Sequence, residues 1–186
     1  MEELTEDILR QAAQGDVNAF EAVYRSYATF VYNVAYRISL NREDAEEVTQ
    51  EVFITVYKQL SSFLFQSSFK TWVYRITANY AINFSKKVSK TRNKTMEYDD
   101  TLFEPTASGD VRGEMDKEHH SKAINDLLSV INPDQRACIV LRNIEGLSYQ
   151  QIADALKINV NTVRTRLKRA REKLLTLKDQ VNYGHM

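Results

Sequence analysis

LSYQQIADALKINVNTVRTRLKRAREKL, residues 147–174 of this 186-residue chain, is the stretch that decides the fold. Ser148, followed three residues later by Gln151, forms a capping box that predicts the start of a short helix. A turn at residues 157–159 precedes a second helix, in which apolar residues recur at steps of three and four. Ala153 is small enough to let the two helices approach each other, and Val163 fills the angle between them. The pattern predicts a helix-turn-helix.

The outer face of the second helix carries side chains that suit DNA. Residues 161–178 hold seven Lys and Arg residues and one acid. Arginine can bind guanine through two hydrogen bonds, and Asn, Thr and Lys contact base edges or phosphates in the major groove. The candidate duplex-binding residues are Asn161, Thr162, Arg164, Thr165, Lys168 and Arg169. The alternative is an αα-hairpin with a basic, solvated face. Lys157 stands where many such turns have glycine, so a local departure of the turn is expected.

Upstream of this motif the chain also has the pattern of helices. Asn132-Pro133-Asp134-Gln135 is a helix start, and Gly146 is placed to end the helix that follows. Nearer the N-terminus, Thr5, Asp16, Asn41 and Ser68 are positioned to begin four helices with apolar stripes, enough for one helical bundle. From residue 86 to about 117 the periodicity fails, and a gap of about 30 residues is too long for a connection inside one compact domain.

These patterns predict an all-α protein of two small helical domains joined by a flexible acidic linker. The N-terminal domain, a helical bundle, covers residues 1–90, the linker residues 91–118, and the C-terminal helix-turn-helix domain residues 119–180. Only five Gly and two Pro occur. A sandwich or barrel needs many turns, which favour these residues, so the composition argues against an all-β fold.

The charges are segregated along the chain, although they sum to zero. Residues 1–51 carry a net charge of −7, residues 52–96 carry +8, residues 97–118 carry −6 and residues 119–186 carry +5. Segregation of this kind concerns partners rather than fold. Residues 52–96 hold no acid at all, whereas an ordinary solvated helix mixes both signs. Two basic blocks around an acidic one suggest two anion-binding surfaces.

The first basic block contains FKTWVYRITANYAINFSKK, residues 69–87, which interleaves aromatic with basic residues. Unpaired bases stack on aromatic rings while phosphates follow a basic groove. Each aromatic side chain could instead occupy a core position. Their spacing favours that alternative for Phe69 and for most of the Trp72 side chain. The acidic helix NREDAEEVTQEVFITVYKQL, residues 41–60, is by its spacing equally consistent with a solvated face and with a docking surface for a basic partner.

With these three elements in this order, the sequence resembles a bacterial sigma factor of the extracytoplasmic-function class of the sigma-70 family. Residues 41–60 resemble the family's helix that binds core RNA polymerase, residues 69–87 its promoter-melting segment, and the C-terminal motif its final helix-turn-helix. The resemblance covers about residues 5–90 and 119–178. Two departures are Asn159-Val160-Asn161 at the start of the last helix, where the family commonly has Pro-x-Gly, and Asn83, where it often has Asp.

The resemblance implies a transcription initiation factor that binds core RNA polymerase and directs it to specific promoters. The expected partners are the β′ clamp and β flap of the polymerase, promoter DNA and an anti-sigma factor. The expected polymerase-binding residues are Asp44, Glu47, Gln50, Glu51 and Phe53. The expected minus-ten residues are Lys70, Trp72, Tyr74, Arg75, Asn79, Lys86 and Lys87, with a flipped base near Asn79. The helix-turn-helix face would hold the minus-thirty-five element, and the acidic linker would thread near the active-site and RNA-exit channels.

Other classes of protein have less support from the sequence. A single cysteine, Cys138, excludes a disulfide framework, and the adjacent His119 and His120 cannot both face one metal from a helix. Neither a catalytic constellation nor a cofactor is expected. The N-terminus lacks the apolar region of a signal peptide and no run is long enough to span a membrane, so a cytoplasmic protein without membrane insertion is expected. A DNA-binding regulator that never contacts polymerase, and a helical adaptor for protein partners, remain as alternatives.

Overall fold

The computed structural model describes residues 4–95 and 124–183, and these are helical with short connections. Four helices form the first half of the chain: α1 (Glu6–Ala13), α2 (Val17–Ser39), α3 (Arg42–Gln59) and α4 (Phe69–Thr95), with a 3₁₀ turn at Leu60–Ser62 after α3. The second half contains α5 (124–129), α6 (Pro133–Ile139), a π-helical turn (Val140–Ile144), α7 (Tyr149–Leu156) and α8 (Val160–Tyr183). Residues 91–95 of the predicted linker continue α4, and the rest of the linker and the two adjacent histidines lie outside the described residues.

Side-chain caps begin the helices where the sequence predicts them. The Asp16 carboxylate accepts from the amide of Ala19 at 2.8 Å, and the Asn41 side chain accepts from the amide of Asp44 at 2.9 Å. Both capping boxes are complete, one beginning with Asn132 and the other with Ser148. Each cap satisfies an amide that has no partner inside its helix, which is why polar residues of this type mark these positions.

The N-terminal bundle buries the stripes that the 3–4 spacing predicts. Helices α2, α3 and α4 pack on one another, and α1 packs against α2. The fully buried aliphatic side chains of α2 and α3 are Val23, Val31, Val34, Ile38, Val48, Val52 and Val56. Because the stripe of α3 faces α2 and α4, the opposite face of α3 stays exposed, whereas α4 also packs against α6 and α7.

Spacing of three and four residues predicts inward positions for Ile124, Leu127, Leu128, Ile131 and Ile144 in the C-terminal half, and the structure departs from this prediction at three of them. Leu128 and Ile131 are buried, but Ile124, Leu127 and Ile144 are each more than 40% exposed. The π-helical turn causes one departure, because the amide of Glu145 donates to the carbonyl of Val140 five residues earlier and shifts the phase of the helix. A second difference concerns α4, which continues to Thr95, several residues beyond the expected end of the helical pattern.

The two halves share one hydrophobic core, and a buried arginine joins them. Arg136 is only 7% exposed, and its guanidinium donates to the carbonyls of Leu128 at 3.1 Å, Ile131 at 2.9 Å and Ile38 at 2.5 Å. Ile38 belongs to the last turn of α2, so the contact crosses between the domains. Burial lowers the pKa of Arg136 to about 10, which leaves it charged at neutral pH.

Replacing Arg136 is expected to destabilise the folded chain. Arg136→Met keeps an unbranched side chain but leaves three buried carbonyl groups with fewer partners, at a cost of about 1–3 kcal/mol. Chemical denaturation followed by circular dichroism measures the free energy of unfolding. Arg25→Met is the control, because Arg25 is exposed and forms only a surface pair with Glu21. Equal stabilities of the two variants would contradict the structural role of Arg136.

Candidate polymerase- and DNA-binding surfaces

The outer face of α3 presents an acidic surface, which we call the α3 face. Glu47, Gln50 and Glu51 are exposed, and Asp44 is half-buried in the first turn of the helix. The helix dipole favours negative side chains in the first turn of a helix, which accounts for Glu43 and Asp44 but not for Glu47 and Glu51 farther along α3. The fold nevertheless holds all four on one side of a rigid helix.

An exposed apolar patch, which the hydrophobic pattern does not predict, adjoins the α3 face. Ile54 and Tyr57 on α3 and Tyr24 on α2 are 45%, 53% and 47% exposed. Tyr57 packs edge-on against Phe20 with ring centroids 4.9 Å apart. Ile54 follows Gln50 by four residues, so the two share one side of the helix. The available signal was that Ile54 falls outside the inward stripe of α3. An acidic rim beside exposed apolar side chains is a common arrangement of docking surfaces.

Three of the expected contact residues lie in the interior. Phe53 is 5% exposed and packs against the ring of Tyr24, and Tyr74 is 1% exposed. Trp72, 9% exposed, belongs to an aromatic cluster with Phe63 and Phe69, at centroid distances of 5.2 and 5.6 Å. Their spacing along the helices is that of core residues, and neither a polymerase surface nor a DNA strand can reach the rings of Phe53 and Tyr74 in this arrangement.

The polar residues of the aromatic and basic segment are accessible to different degrees. Arg75, Lys86 and Lys87 are exposed on α4, while Lys70 and Asn79 are half-buried. The Lys70 ammonium lies 5.5 Å from the centroid of the Phe30 ring and 5.7 Å from that of Tyr74. Cation–π contacts of this kind hold the lysine in place while its charge stays near the surface.

A cleft of about 390 Å³ opens beside this segment. The loop before α4 provides Gln66, Ser67 and Ser68, and α4 provides Thr71, Trp72 and Arg75. Phe65 in the same loop has a φ of +55°, a conformation that costs energy for a residue with a side chain. The sequence of residues 61–68 predicts only a loop or short turn, because hydrophobic periodicity carries no information on backbone strain.

The helix-turn-helix has the predicted construction. Ala153 and Val163 are buried between α7 and α8, and Asn159 begins α8 by accepting from the amide of Asn161 at 2.8 Å. The Asn161 side chain in turn accepts from the guanidinium of Arg164 at 2.9 Å. Thr162 is half-buried, and the other candidate DNA contacts of α8 are exposed along one side: Asn161, Arg164, Thr165, Lys168 and Arg169.

Lys157 adopts the backbone conformation that glycine usually provides in turns of this kind. It ends α7 with φ +53° and ψ +45°, the left-handed conformation. The turn therefore keeps the glycine-type geometry at the cost of backbone strain.

Other kinds of site find little support in residues 4–95 and 124–183. No group of three or more His, Cys, Asp or Glu side chains in these ranges could hold a metal ion. Burial raises the pKa of the Cys138 thiol to about 11, which makes it a poor nucleophile. No helix in these two ranges has the length and apolar character needed to cross a membrane.

A helical bundle with an acidic face on α3, followed by a helix-turn-helix, is the arrangement predicted for a sigma factor, and comparisons with known proteins support that class. Residues 23–91 match the family model of sigma-70 region 2, and residues 121–174 match that of sigma-70 region 4. The ECF RNA polymerase sigma-E factor of Haemophilus influenzae is 33% identical over 92% of this chain and 94% of its own length. SigW of Bacillus subtilis, also an ECF RNA polymerase sigma factor, is 31% identical over 94% and 96%.

A third relative, the ECF RNA polymerase sigma factor SigE of Mycolicibacterium smegmatis, is 32% identical over 87% of this chain, which spans 62% of that relative. Among solved structures, CnrH in complex with the cytosolic domain of CnrY matches with a TM-score of 0.66 at 22% identity, over 93% of this chain and 96% of that one. RpoE of Bartonella quintana, in complex with the anti-sigma factor NepR, matches with a TM-score of 0.65 at 23% identity, over 88% and 98%.

The chain belongs to the extracytoplasmic-function subfamily of sigma-70 RNA polymerase sigma factors. It is a transcription initiation factor, which directs RNA polymerase to promoters.

The strain at Lys157 predicts a stabilising substitution. Lys157→Gly is expected to raise the free energy of unfolding by about 0.5–1 kcal/mol, because glycine adopts the left-handed conformation without steric cost. Thermal and chemical denaturation measure the change. Glu172→Gly, at an exposed position inside α8, is the control and should lower stability by about 1 kcal/mol. A loss of stability on Lys157→Gly would show that the turn is not strained.

Proposed function

We propose that the three surfaces divide the work of promoter opening among α3, α4 and α8. In this division α3 docks on the core enzyme, α4 with the loop before it receives the melted minus-ten element, and α8 holds the minus-thirty-five duplex. The division rests above all on one observation, that acidic and basic side chains lie on separate faces of separate helices. The corresponding units are residues 1–90 and 119–180, joined by residues 91–118.

Docking on the polymerase uses the α3 face together with the apolar patch beside it. Asp44, Glu47, Gln50 and Glu51 supply polar contacts that steer a basic partner, and burial of Ile54 and Tyr57 adds apolar area at the centre. Phe53 supports this surface from the core and does not touch the partner. The partner is the clamp of the β′ subunit, and the β flap contacts the C-terminal domain.

The minus-ten strand lies along α4. Arg75, Lys86 and Lys87 bind its phosphates, and Asn79 contacts a base. The cleft beside Trp72 is roomy enough to receive a base that leaves the stack, and its serine, threonine and glutamine side chains can form hydrogen bonds with a base edge. The resemblance alone implies a flipped base beside Asn79. We therefore propose a position closer to the loop of residues 63–68. Trp72 and Tyr74 serve as the rigid wall behind this surface.

An anti-sigma factor controls the protein in this proposal, and the place of action is the cytoplasm. Support comes from a related fold, since the sigma factor RpoE of Bartonella quintana was solved in complex with the anti-sigma factor NepR. The alternative function is a helix-turn-helix regulator that acts without docking on polymerase. The exposed acidic and apolar surface of α3 favours the sigma-factor mechanism, because a regulator of that kind has no use for it.

Run-off transcription with purified core RNA polymerase and fragmented DNA of the source genome tests the proposal. Discrete transcripts that appear only when the protein is added are the expected result. Absence of transcripts, together with failure to co-elute with core on a sizing column, would favour the plain DNA-binding regulator.

Reversing one charge on the α3 face is expected to impair docking. Glu51→Lys should weaken binding to core polymerase while leaving the fold intact, because Glu51 is exposed and holds no cap or core position. Co-elution with core and a titration of fluorescent protein measure the effect. Glu6→Lys on α1 makes the same change of charge away from the surface and should bind as the wild type does. Equal core binding by the two variants would remove the α3 face from the proposal.

Truncating a side chain on α8 is expected to weaken promoter recognition selectively. Arg164→Ala should cost about 1–3 kcal/mol at the minus-thirty-five element if the guanidinium contacts a base. Holoenzyme binding to a promoter found by run-off transcription, compared with binding to scrambled duplex, measures this loss. Arg171→Ala, farther along α8, should weaken both duplexes alike through loss of charge alone. A uniform loss with Arg164→Ala would make it a phosphate contact.

A further inference from the structure

The first turns of α8 carry a series of hydrogen bonds that involve exposed side chains. The carboxamide oxygen of Asn159 accepts from the backbone amide of Asn161 at 2.8 Å, and the carboxamide oxygen of Asn161 accepts from Nη1 of Arg164 at 2.9 Å. The hydroxyl of Thr165 donates to the backbone carbonyl of Asn161 at 2.9 Å. Spacings of three and four residues place Asn161, Arg164 and Thr165 on one side of the helix. These side chains are therefore oriented before any DNA arrives.

The contact with Asn161 leaves Arg164 able to bind two acceptors at once. A guanidinium group has five N–H donors in one plane, and the bond to Asn161 uses one of those on Nη1. Nε and Nη2 remain as a parallel pair of donors on the other edge of the group. Guanine presents O6 and N7 side by side in the major groove, and a guanidinium binds both of these acceptors together. The geometry of Arg164 therefore suits guanine.

Asn161 also lowers the entropic cost of that contact. A long side chain loses rotamer freedom when it binds a base, and a side chain that is already held in place loses less. Exposed side-chain pairs of this spacing add little to the stability of a helix, so the main consequence of the bond concerns the direction of Arg164. Lys168 differs, because its ammonium lies 3.8 Å from a carboxylate oxygen of Glu172 and is a compact charge that suits a phosphate.

Thr165 presents a methyl group to a partner in place of a hydrogen-bond donor. Its hydroxyl has a single hydrogen, which is donated to the carbonyl of Asn161. A threonine hydroxyl that bonds to the carbonyl four residues earlier fixes the side-chain torsion. The methyl group is then the part of this exposed side chain that can meet a base. In the major groove, a threonine methyl group packs against the C5-methyl group of thymine.

We propose that Asn161 is a positioning residue that directs Arg164 to a guanine, and that Thr165 selects a thymine on an adjacent base pair. The inference rests on the proposed function of α8 and adds which bases that helix prefers. Asn161 acts through Arg164 and carries no charge, so it adds nothing to the attraction of phosphates. Its loss should therefore lower the specificity for one sequence and leave the affinity for other duplexes unchanged.

Selection from a randomised duplex tests the base preference. Holoenzyme reconstituted with core polymerase selects among copies of a promoter found by run-off transcription, in which the minus-thirty-five element is randomised. Wild type should enrich guanine beside thymine, and Arg164→Ala should lose the preference for guanine. Asn161→Ala should reduce that preference about threefold and keep the wild-type affinity for scrambled duplex. Asn161→Asp should retain the preference for guanine, because a carboxylate oxygen also accepts from Arg164.

A modified guanine in the selected sequence identifies the atoms that Arg164 binds. An analogue with carbon in place of N7 removes one of the two acceptors and should weaken wild-type binding about tenfold. The same analogue should have no effect on binding by Arg164→Ala, which has no guanidinium to lose a contact. Inosine is the matched control, because it keeps both N7 and O6 and lacks only an amino group in the minor groove. Wild type should therefore bind the inosine duplex as it binds the guanine duplex.

Uracil in place of the selected thymine removes only the methyl group that Thr165 is proposed to contact. This change should weaken wild-type binding about threefold and leave binding by Thr165→Ser unchanged, since serine keeps the hydroxyl and lacks the methyl group. Thr176→Ser is the matched control, because the Thr176 hydroxyl donates to the carbonyl of Glu172 at 3.0 Å in the same way, farther along α8. It should remain as sensitive to uracil as wild type. A loss on uracil that persists in Thr165→Ser rejects the role of Thr165.

The role of Asn161 is overturned if Asn161→Ala leaves the guanine preference unchanged, or weakens selected and scrambled duplexes equally. An enriched adenine that is lost with Asn161→Ala would also overturn it, because Asn161 would then read a base itself. Enrichment of other bases that depends on Arg164 rejects this inference and leaves α8 as the duplex-binding helix. If wild type enriches no sequence, or Arg164→Ala enriches the same one, the proposed function of α8 is rejected as well.

Discussion

The buried guanidinium of Arg136 is the interaction on which the arrangement of the two domains depends. It donates to two carbonyl groups of its own domain and to one, Ile38, of the N-terminal bundle. Helix C-terminal ends leave carbonyls without partners, and a charge buried without an acid must find neutral acceptors. Arg136 meets both requirements, because its guanidinium supplies donors to the end of α2 and finds carbonyl groups as neutral acceptors. Its positive charge also lies at the C-terminal end of α2, where the helix dipole favours it.

The same principle recurs at the second contact between the domains. Asn79 satisfies a carbonyl at the end of α7, as Arg136 does at the end of α2. Polar side chains that complete helix ends in the other domain give a specific orientation, beside the hydrophobic core that the two halves share.

The proposed functional surfaces of this chain are three separate charged faces and not one pocket. An acidic face on α3, a basic face on α4 and a basic face on α8 each meet a different partner in the proposed mechanism. The apolar residues hold the helices rigid, so that each charged face keeps its direction. The short contacts between α4 and the C-terminal half fix the directions of these faces relative to one another.

The sequence by itself determined the helices, their caps and the class of protein. Capping side chains such as Asp16, Asn132 and Ser148 act on amides within three residues, and apolar stripes repeat at the period of the helix, so both are readable locally. The helix-turn-helix face was predicted for the same reason.

Only the tertiary structure decided which residues of these patterns are exposed and which are buried. Tyr74 and Phe53 lie in the core, whereas Ile54 and Tyr57 lie outside it, because the side a residue faces depends on which helices pack there. The strained loop at Phe65, the π-helical turn and the contacts of Arg136 and Asn79 with the other domain also escaped prediction. They join groups that are distant in sequence, or depend on backbone angles that residue type alone does not set.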